Sequence, residues 1–136
     1  MSAIMPLATL PDVLRRSPYA RLLGLEMIRA APDEVVIRMP FREDLLADDE
    51  EAARYVHGGA LASLIDIAGT FAVIAAVGHD VITVDLRVDY LRPVRSGDLA
   101  GTARPVRIGR SLAVADVEVA GADRKLVAVG RGLFRP

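Results

Sequence analysis

The sequence predicts an α+β fold in which one long helix is wrapped by a curved antiparallel sheet. Three observations predict it. A twenty-residue apolar stretch, Gly58 to Val77, carries Asp66 as its only formal charge and ends at Gly78, so it reads as a largely buried helix. Strand-like segments flank it, two before and three or four after. The two kinds of element are segregated along the chain, which points to an antiparallel sheet and away from parallel βαβ units. The 136 residues fit one domain, 1–136, with a core made mostly of Ala, Val and Leu, since aromatics are only 4% of the chain.

From the N-terminus, Leu10 to Leu23 has helical character interrupted by Pro18, which disfavours helical backbone at Ser17. Gly24 ends it, so residues 1–23 read as an N-terminal helical extension. Leu25–Ala30 and Glu34–Met39 read as strands joined by the turn Ala31-Pro32-Asp33. In the second, Val35, Ile37 and Met39 alternate with Val36 and Arg38, which sets one face against a core. Pro40 to Tyr55 is acidic and irregular, a solvated loop with a short helix expected around Asp44–Ala47. Beyond the long helix, Gly78-His79-Asp80 is a stop signal. Val81 to Leu91 alternates: Ile82, Val84, Leu86, Val88 and Tyr90 are expected on one face, Thr83, Asp85, Arg87 and Asp89 on the other. Pro93 and Ser96-Gly97-Asp98 make a turn. Leu99–Val106, Leu112–Val119 and Lys125–Phe134 complete the sheet, separated by a hairpin turn or bulge at Ile108–Ser111 and a tight turn at Gly121–Arg124. Such a sheet has edges that need covering, and edge-to-edge pairing of two copies would cover them.

Composition narrows the function. A net charge of −1 gives no sign of a nucleic-acid or acidic-membrane partner. The absence of cysteine excludes disulfides, a thiol nucleophile and thiolate metal ligands. Met1 to Leu10 lacks a basic segment before its apolar residues, so a cytoplasmic protein is expected. The long helix has the length of a membrane span. Its central Asp would cost roughly 2.5–3.5 kcal/mol on insertion scales, and its flanks lack Lys/Arg asymmetry. It is therefore read as the buried centre of a soluble fold.

The helix also carries the candidate chemistry. A carboxylate on an apolar helix is costly unless it is partnered, and it is kept either for a task or by structural hydrogen bonds. Helical spacing puts Gly59, Ser63, Asp66 and Thr70 on one face, either a close helix–helix contact or the floor of a site. Gly58 and Gly59 leave the backbone N–H groups of the first turn unhindered at the positive end of the helix dipole, a place suited to an oxygen gaining negative charge. Asp66 lies eight residues beyond Gly58, about 12 Å along the axis at the usual helical rise. One substrate carbonyl cannot reach both on the same helix. If both act on one carbon they come from two antiparallel helices of different subunits, giving two sites per dimer. His57 reads as a general base, a metal ligand or a hydrogen-bonder that orients the loop; no second His stands at ligand spacing, so no metal is expected. Ser63 lacks the glycine that would follow it in a nucleophile elbow.

Val56-His57-Gly58-Gly59-Ala60-Leu61, Leu64-Ile65-Asp66, Val81-Ile82-Thr83-Val84-Asp85-Leu86 and Asp89-Tyr90-Leu91-Arg92-Pro93, with Gly109-Arg110-Ser111 and the closing Gly130–Phe134 segment, resemble the hotdog-fold acyl-CoA thioesterases of the phenylacetate-catabolism (PaaI-like) branch. The resemblance runs from about Gly24 to Phe134. It implies a hotdog fold that dimerises through a continuous sheet, pairing of dimers into a homotetramer, and hydrolysis of an acyl-CoA to free acid and CoA with no cofactor beyond the substrate's own CoA. It implies that Asp66 is the catalytic carboxylate, as general base on water or as nucleophile, and that the Gly58 N–H polarises the thioester carbonyl. Thr83 takes the place of a water-positioning Ser or Thr, and His57 stands beside the catalytic turn. Gly109, Arg110 and Ser111 resemble a segment that contacts coenzyme A, and Gly59, Ser63 and Thr70, read from their spacing as the floor of a site, are expected to line the substrate. By charge, Arg92, Arg95 and Arg110 are candidates for the CoA phosphates. The sequence departs from the family where relatives often have Asn and Gly before the His: here Glu51 and Arg54 stand. Two other readings use the same residues. One is an enoyl-CoA hydratase or dehydratase with His57 and Asp66 as an acid/base pair, betrayed by a change in the enoyl chromophore. The other is a non-catalytic acyl-CoA-binding module, betrayed by ligand stabilisation without thiol release.

Overall fold

The computed structural model describes residues 4–136. Met1 to Ala3, the start of the expected extension, lie outside the described residues. Two short helices follow, α1 (Leu10–Arg15) and α2 (Pro18–Leu23). The break between them falls where Pro18 forbids helix: Ser17 is extended, and its hydroxyl caps α2 by accepting the Ala20 N–H at 3.2 Å. Gly24 closes α2 in the left-handed conformation, φ +70°. Leu10 and Leu14 bury one side of α1 in the core.

Six strands form one antiparallel sheet: β1 (Glu26–Ala31), β2 (Glu34–Met39), β3 (Ile82–Tyr90), β4 (Leu99–Ile108), β5 (Ala113–Ala120) and β6 (Leu126–Arg135). Their order across the sheet is β1-β2-β4-β5-β6-β3, so β1 and β3 are the edges. The sheet curves around α3 (Gly58–Val77), the hotdog arrangement. The inward residues of β2 and β5, among them Val35, Ile37, Val117 and Val119, meet Leu64, Ile65, Ala68 and Val73 of α3, all close to fully buried. A glycine sets how deeply the helix sits. A Cβ on Gly130 of β6 would stand 2.6 Å from the Ile65 side chain and 2.8 Å from the Arg87 carbonyl oxygen. α3 has the length and mean hydropathy (2.1) of a membrane span, and in this fold it is the core helix of the sheet.

Two expectations need correction. The helix expected at Asp44–Ala47 is a single 3-10 turn, Glu43–Leu45, because Leu46 is already extended and bridges to Val56. Buried Leu45 pins this loop, and its carbonyl accepts the His57 N–H at 2.7 Å. The second correction concerns β3. Its alternation is interrupted by a β-bulge between Thr83 and Asp85, where two residues oppose Leu133 alone. Ile82 and Val84 are 59% and 60% exposed, whereas Leu86 and Val88 pack on the core. The extra residue turns Thr83 toward α3, on the same side as Leu86 and Val88, not opposite them.

Candidate active site

The open face of α3 carries the site. Gly59, Ser63, Asp66 and Thr70 all lie along it, and none is fully buried. Asp66 is half-buried, and among the described residues no cation stands within ion-pair distance of it. The cost foreseen for a fully buried carboxylate is therefore reduced by partial solvation. The Thr83 hydroxyl donates to Asp66 Oδ1 at 2.7 Å, a contact that the bulge in β3 makes available. Oδ2 has no partner among the described residues, so one oxygen is anchored and the other is free to take a proton or attack a carbon. The Thr70 hydroxyl is turned back to the Asp66 backbone carbonyl at 2.8 Å, which leaves its donor occupied within the helix.

The entrance of α3 sorts its two glycines. His57 is the N-cap, and its Nδ1 accepts the Gly59 N–H at 2.8 Å. This requires an unprotonated Nδ1 and gives His57 a loop-orienting part. The Gly58 N–H has no acceptor among the described residues. Of the two candidate donors for a substrate oxygen, Gly58 is thus free and Gly59 is committed to the cap. The Gly58 carbonyl accepts from the Tyr90 hydroxyl at 2.8 Å. An open cavity of about 450 Å³ lies here, lined by Tyr55, Gly58, Gly59, Leu61, Tyr90 and Leu91 among others. Ser63 donates to the Gly59 carbonyl at 2.8 Å and exchanges a hydrogen bond with Tyr19 of α2 at 2.7 Å. The N-terminal extension thus reaches onto the site face.

Other expected residues stand apart. Gly109, Arg110 and Ser111 form the β4–β5 hairpin, closed by the Gly109 N–H on the Leu112 carbonyl at 3.0 Å. Through the row Ile108–Ala113–Phe134–Thr83 this turn lies across the sheet from the Asp66 partner, without contact to Asp66 within one chain. Arg110 is exposed and makes no ion pair among the described residues. Arg92 pairs with Asp123 at 3.6 Å, and Arg95 donates to the Glu51 carbonyl at 2.9 Å. Glu51 therefore serves the loop through its backbone, and Arg54 pairs with Glu43 at 3.4 Å and Asp49 at 3.8 Å. Among the described residues no group of three or more His, Asp or Glu could hold a metal. Sequence reasoning missed Tyr90 and Tyr19 as site neighbours. Tyr90 offered only its place at the end of a strand, and Tyr19 offered no signal.

A hotdog fold with a carboxylate half-way along the central helix and a free amide at its entrance defines a class, the hotdog thioester hydrolases. The sequence model of the thioesterase superfamily matches residues 54–128, and the chain belongs to that superfamily. It is 42% identical to "Putative esterase VNG_1336C" of Halobacterium salinarum over 83% of this chain and 80% of that protein. It is 31% identical to the medium/long-chain acyl-CoA thioesterase YigI of Salmonella typhimurium over 82% of this chain and 80% of that one. The solved structure of the E. coli PaaI protein from the phenylacetic acid degradation operon is 26% identical, with a TM-score of 0.83 over 94% of this chain and 90% of that one. The chain is a PaaI-like thioester hydrolase.

Proposed function

We propose that the protein hydrolyses acyl-CoA thioesters at sites formed between two copies of the chain. One observation carries the reading. The anchored carboxylate of Asp66 and the free N–H of Gly58 are the complementary halves of an acyl-transfer site, yet they stand about 12 Å apart on one rigid helix. A second copy supplies the missing half. β3 is an edge strand with Ile82 and Val84 exposed on it. Antiparallel pairing of two β3 strands about their middle sets the Thr83 end of one beside the Tyr90 end of the other. Thr83 is bonded to Asp66 and Tyr90 to Gly58. The same pairing therefore carries the carboxylate of one copy to the helix entrance of its partner, twice per dimer.

In the proposed reaction the thioester carbonyl oxygen lies on the Gly58 N–H. Asp66 takes a proton from water as the water oxygen bonds to the carbonyl carbon, or attacks that carbon itself to form an anhydride that water then opens. The developing oxyanion is stabilised by the Gly58 amide and the helix dipole. In the base route the C–S bond then breaks and the proton held by Asp66 passes to the departing CoA sulfur; in the nucleophile route the C–S bond breaks as the anhydride forms, CoA leaves as thiolate, and the proton freed when water opens the anhydride goes to solvent. Thr83 holds the carboxylate in line, while Gly59, Ser63 and Thr70 form the floor against the acyl group. The exposed hairpin Gly109-Arg110-Ser111 is assigned to the CoA moiety. The reaction needs no metal or redox cofactor, and the assembly proposed is a cytoplasmic dimer of dimers.

A thiol-release screen tests this, run over acyl-CoAs that include medium-chain, long-chain and arylacetyl groups, with Asp66→Asn alongside. Wild-type protein is expected to release CoA from at least one class, and Asp66→Asn to be slower by about 10²–10⁴-fold in kcat, the usual range for removing an acid–base group. Unchanged rates in the variant would remove Asp66 from the chemistry. Enoyl consumption without thiol release would replace hydrolysis by hydration.

A further inference from the structure

We infer that Tyr90 is a positioning residue for the oxyanion-binding amide, acting through the Gly58–Gly59 peptide; this deepens the hydrolase reading and rests on it. That peptide is held by side chains at both ends. Its carbonyl accepts from the Tyr90 hydroxyl at 2.8 Å, and its N–H donates to His57 Nδ1 at 2.8 Å. Because a peptide unit is planar, two bonds from opposite ends fix its orientation as a rigid plate. The preceding peptide is held too. Its carbonyl, that of His57, accepts from Ala60 at 2.9 Å and Leu61 at 3.3 Å. With both neighbouring plates fixed, the φ and ψ of Gly58 are set, and so is the direction of its N–H.

Without these bonds Gly58 would be the loosest residue of the turn, since glycine has the widest conformational range. A side chain at Gly58 would crowd this contact, since a Cβ there would stand 3.3 Å from the Tyr90 ring and hydroxyl oxygen. Glycine and tyrosine are therefore a matched pair: one makes room, and the other restores the order that the first gives up. The chain of donors also runs in one sense, Tyr90 hydroxyl to Gly58 carbonyl and Gly59 N–H to His57 Nδ1. Each bond polarises the next. Among the described residues Tyr90 is not part of the packed core. It is 54% exposed and lines the open cavity at the helix entrance.

Tyr90→Phe removes the one hydroxyl and keeps the ring. The expected result is a kcat lower by about tenfold, less than the 10²–10³-fold for deleting an oxyanion donor outright, because the amide is misaimed and not lost. KM should stay within about twofold, since the donor matters most once charge develops on the oxygen. In ¹⁵N-labelled protein the Gly59 amide proton should shift in Tyr90→Phe and stay in place in Asp116→Asn, a change in β5 whose carboxylate is bonded to Arg131 and not to the helix entrance. A wild-type kcat in Tyr90→Phe, a loss confined to KM, or an unmoved Gly59 amide would each overturn the assignment. If the wild-type protein releases no thiol from any acyl-CoA, the hydrolase reading falls, and the amide shift alone decides whether Tyr90 governs this peptide.

Discussion

The two sides of α3 obey different rules. The side against the sheet is aliphatic and sealed: Leu64, Ile65, Ala68 and Val73 have essentially no exposure and belong to the apolar core. The other side is lined by Gly59, Ser63, Asp66 and Thr70, and each of its polar side chains has a specific partner. On the first side, shape and volume decide what is tolerated, because interiors are close-packed. On the second, single hydrogen bonds decide, because the groups are half-solvated and the chemistry depends on direction. Stability and activity should therefore be separable by face.

The largest effect expected on the sealed side is at Phe134. It is fully buried in β6 beneath α3, so close that a Cβ on Gly69 of the helix would stand 3.0 Å from its ring. Phe134→Ala should cost about 3–5 kcal/mol, the usual range for an aromatic truncated in a core. That is a large share of a typical domain's stability. Denaturant unfolding measures it, and a loss under about 1 kcal/mol would mean that the sheet closes over the gap. On the open side, Thr83→Val keeps the shape and removes the donor to Asp66. A hydrogen bond to a charged group contributes roughly 1.5–3 kcal/mol. We expect kcat to fall about 10- to 100-fold on that basis, with unfolding little changed and with Thr83→Ser restoring most of the rate. A Thr83→Val variant that loses stability and keeps its rate would erase the distinction between the faces.

Much of this contrast was legible in the sequence. The long helix, its Gly78 stop, the Ser17 break before Pro18 and the turn at Pro32-Asp33 all follow from local chemistry, and the structure places them there, with Ala31 closing β1 and not opening the turn. The stripe of Gly59, Ser63, Asp66 and Thr70 was legible because helical spacing is regular. The bulge in β3 was not. Val84 is as apolar as Ile82, Leu86 and Val88, so the pattern reads as unbroken alternation and puts Thr83 on the wrong face; only pairing with β6 shows the extra residue. Tyr90 and Tyr19 were illegible for a related reason. Their hydroxyls meet residues 32 and 44 positions away, contacts that depend on tertiary packing and leave no local trace. The commitment of Gly59 to the His57 cap was equally hidden, since two adjacent glycines look equivalent until one amide has a partner.

The smallest expected effect lies farther from the helix, on the outer face of the sheet, where neither rule applies. There Arg131 of β6 grips Asp116 of β5 with two hydrogen bonds, at 2.6 and 2.8 Å. The hydrogen bond from Arg131 holds the Asp116 carboxyl below its ordinary value of 3.8; partial burial pushes the other way, and the charge of Arg131 adds a smaller downward pull. A carboxyl depressed in the folded state adds stability above its unfolded pKa, and that contribution is lost as pH falls through the folded value. Both side chains are about half exposed, so solvent screening limits the pair to less than about 1 kcal/mol. Asp116→Asn should therefore cost a few tenths of a kcal/mol to about 1 kcal/mol at pH 7. The difference from wild type should vanish in acid below the ordinary carboxylate range, and turnover should be untouched. Denaturation of both proteins at neutral and acid pH checks the sign. A destabilisation that persisted in acid would show that Asp116 acts through packing, as the sealed side of α3 does, and not through its charge.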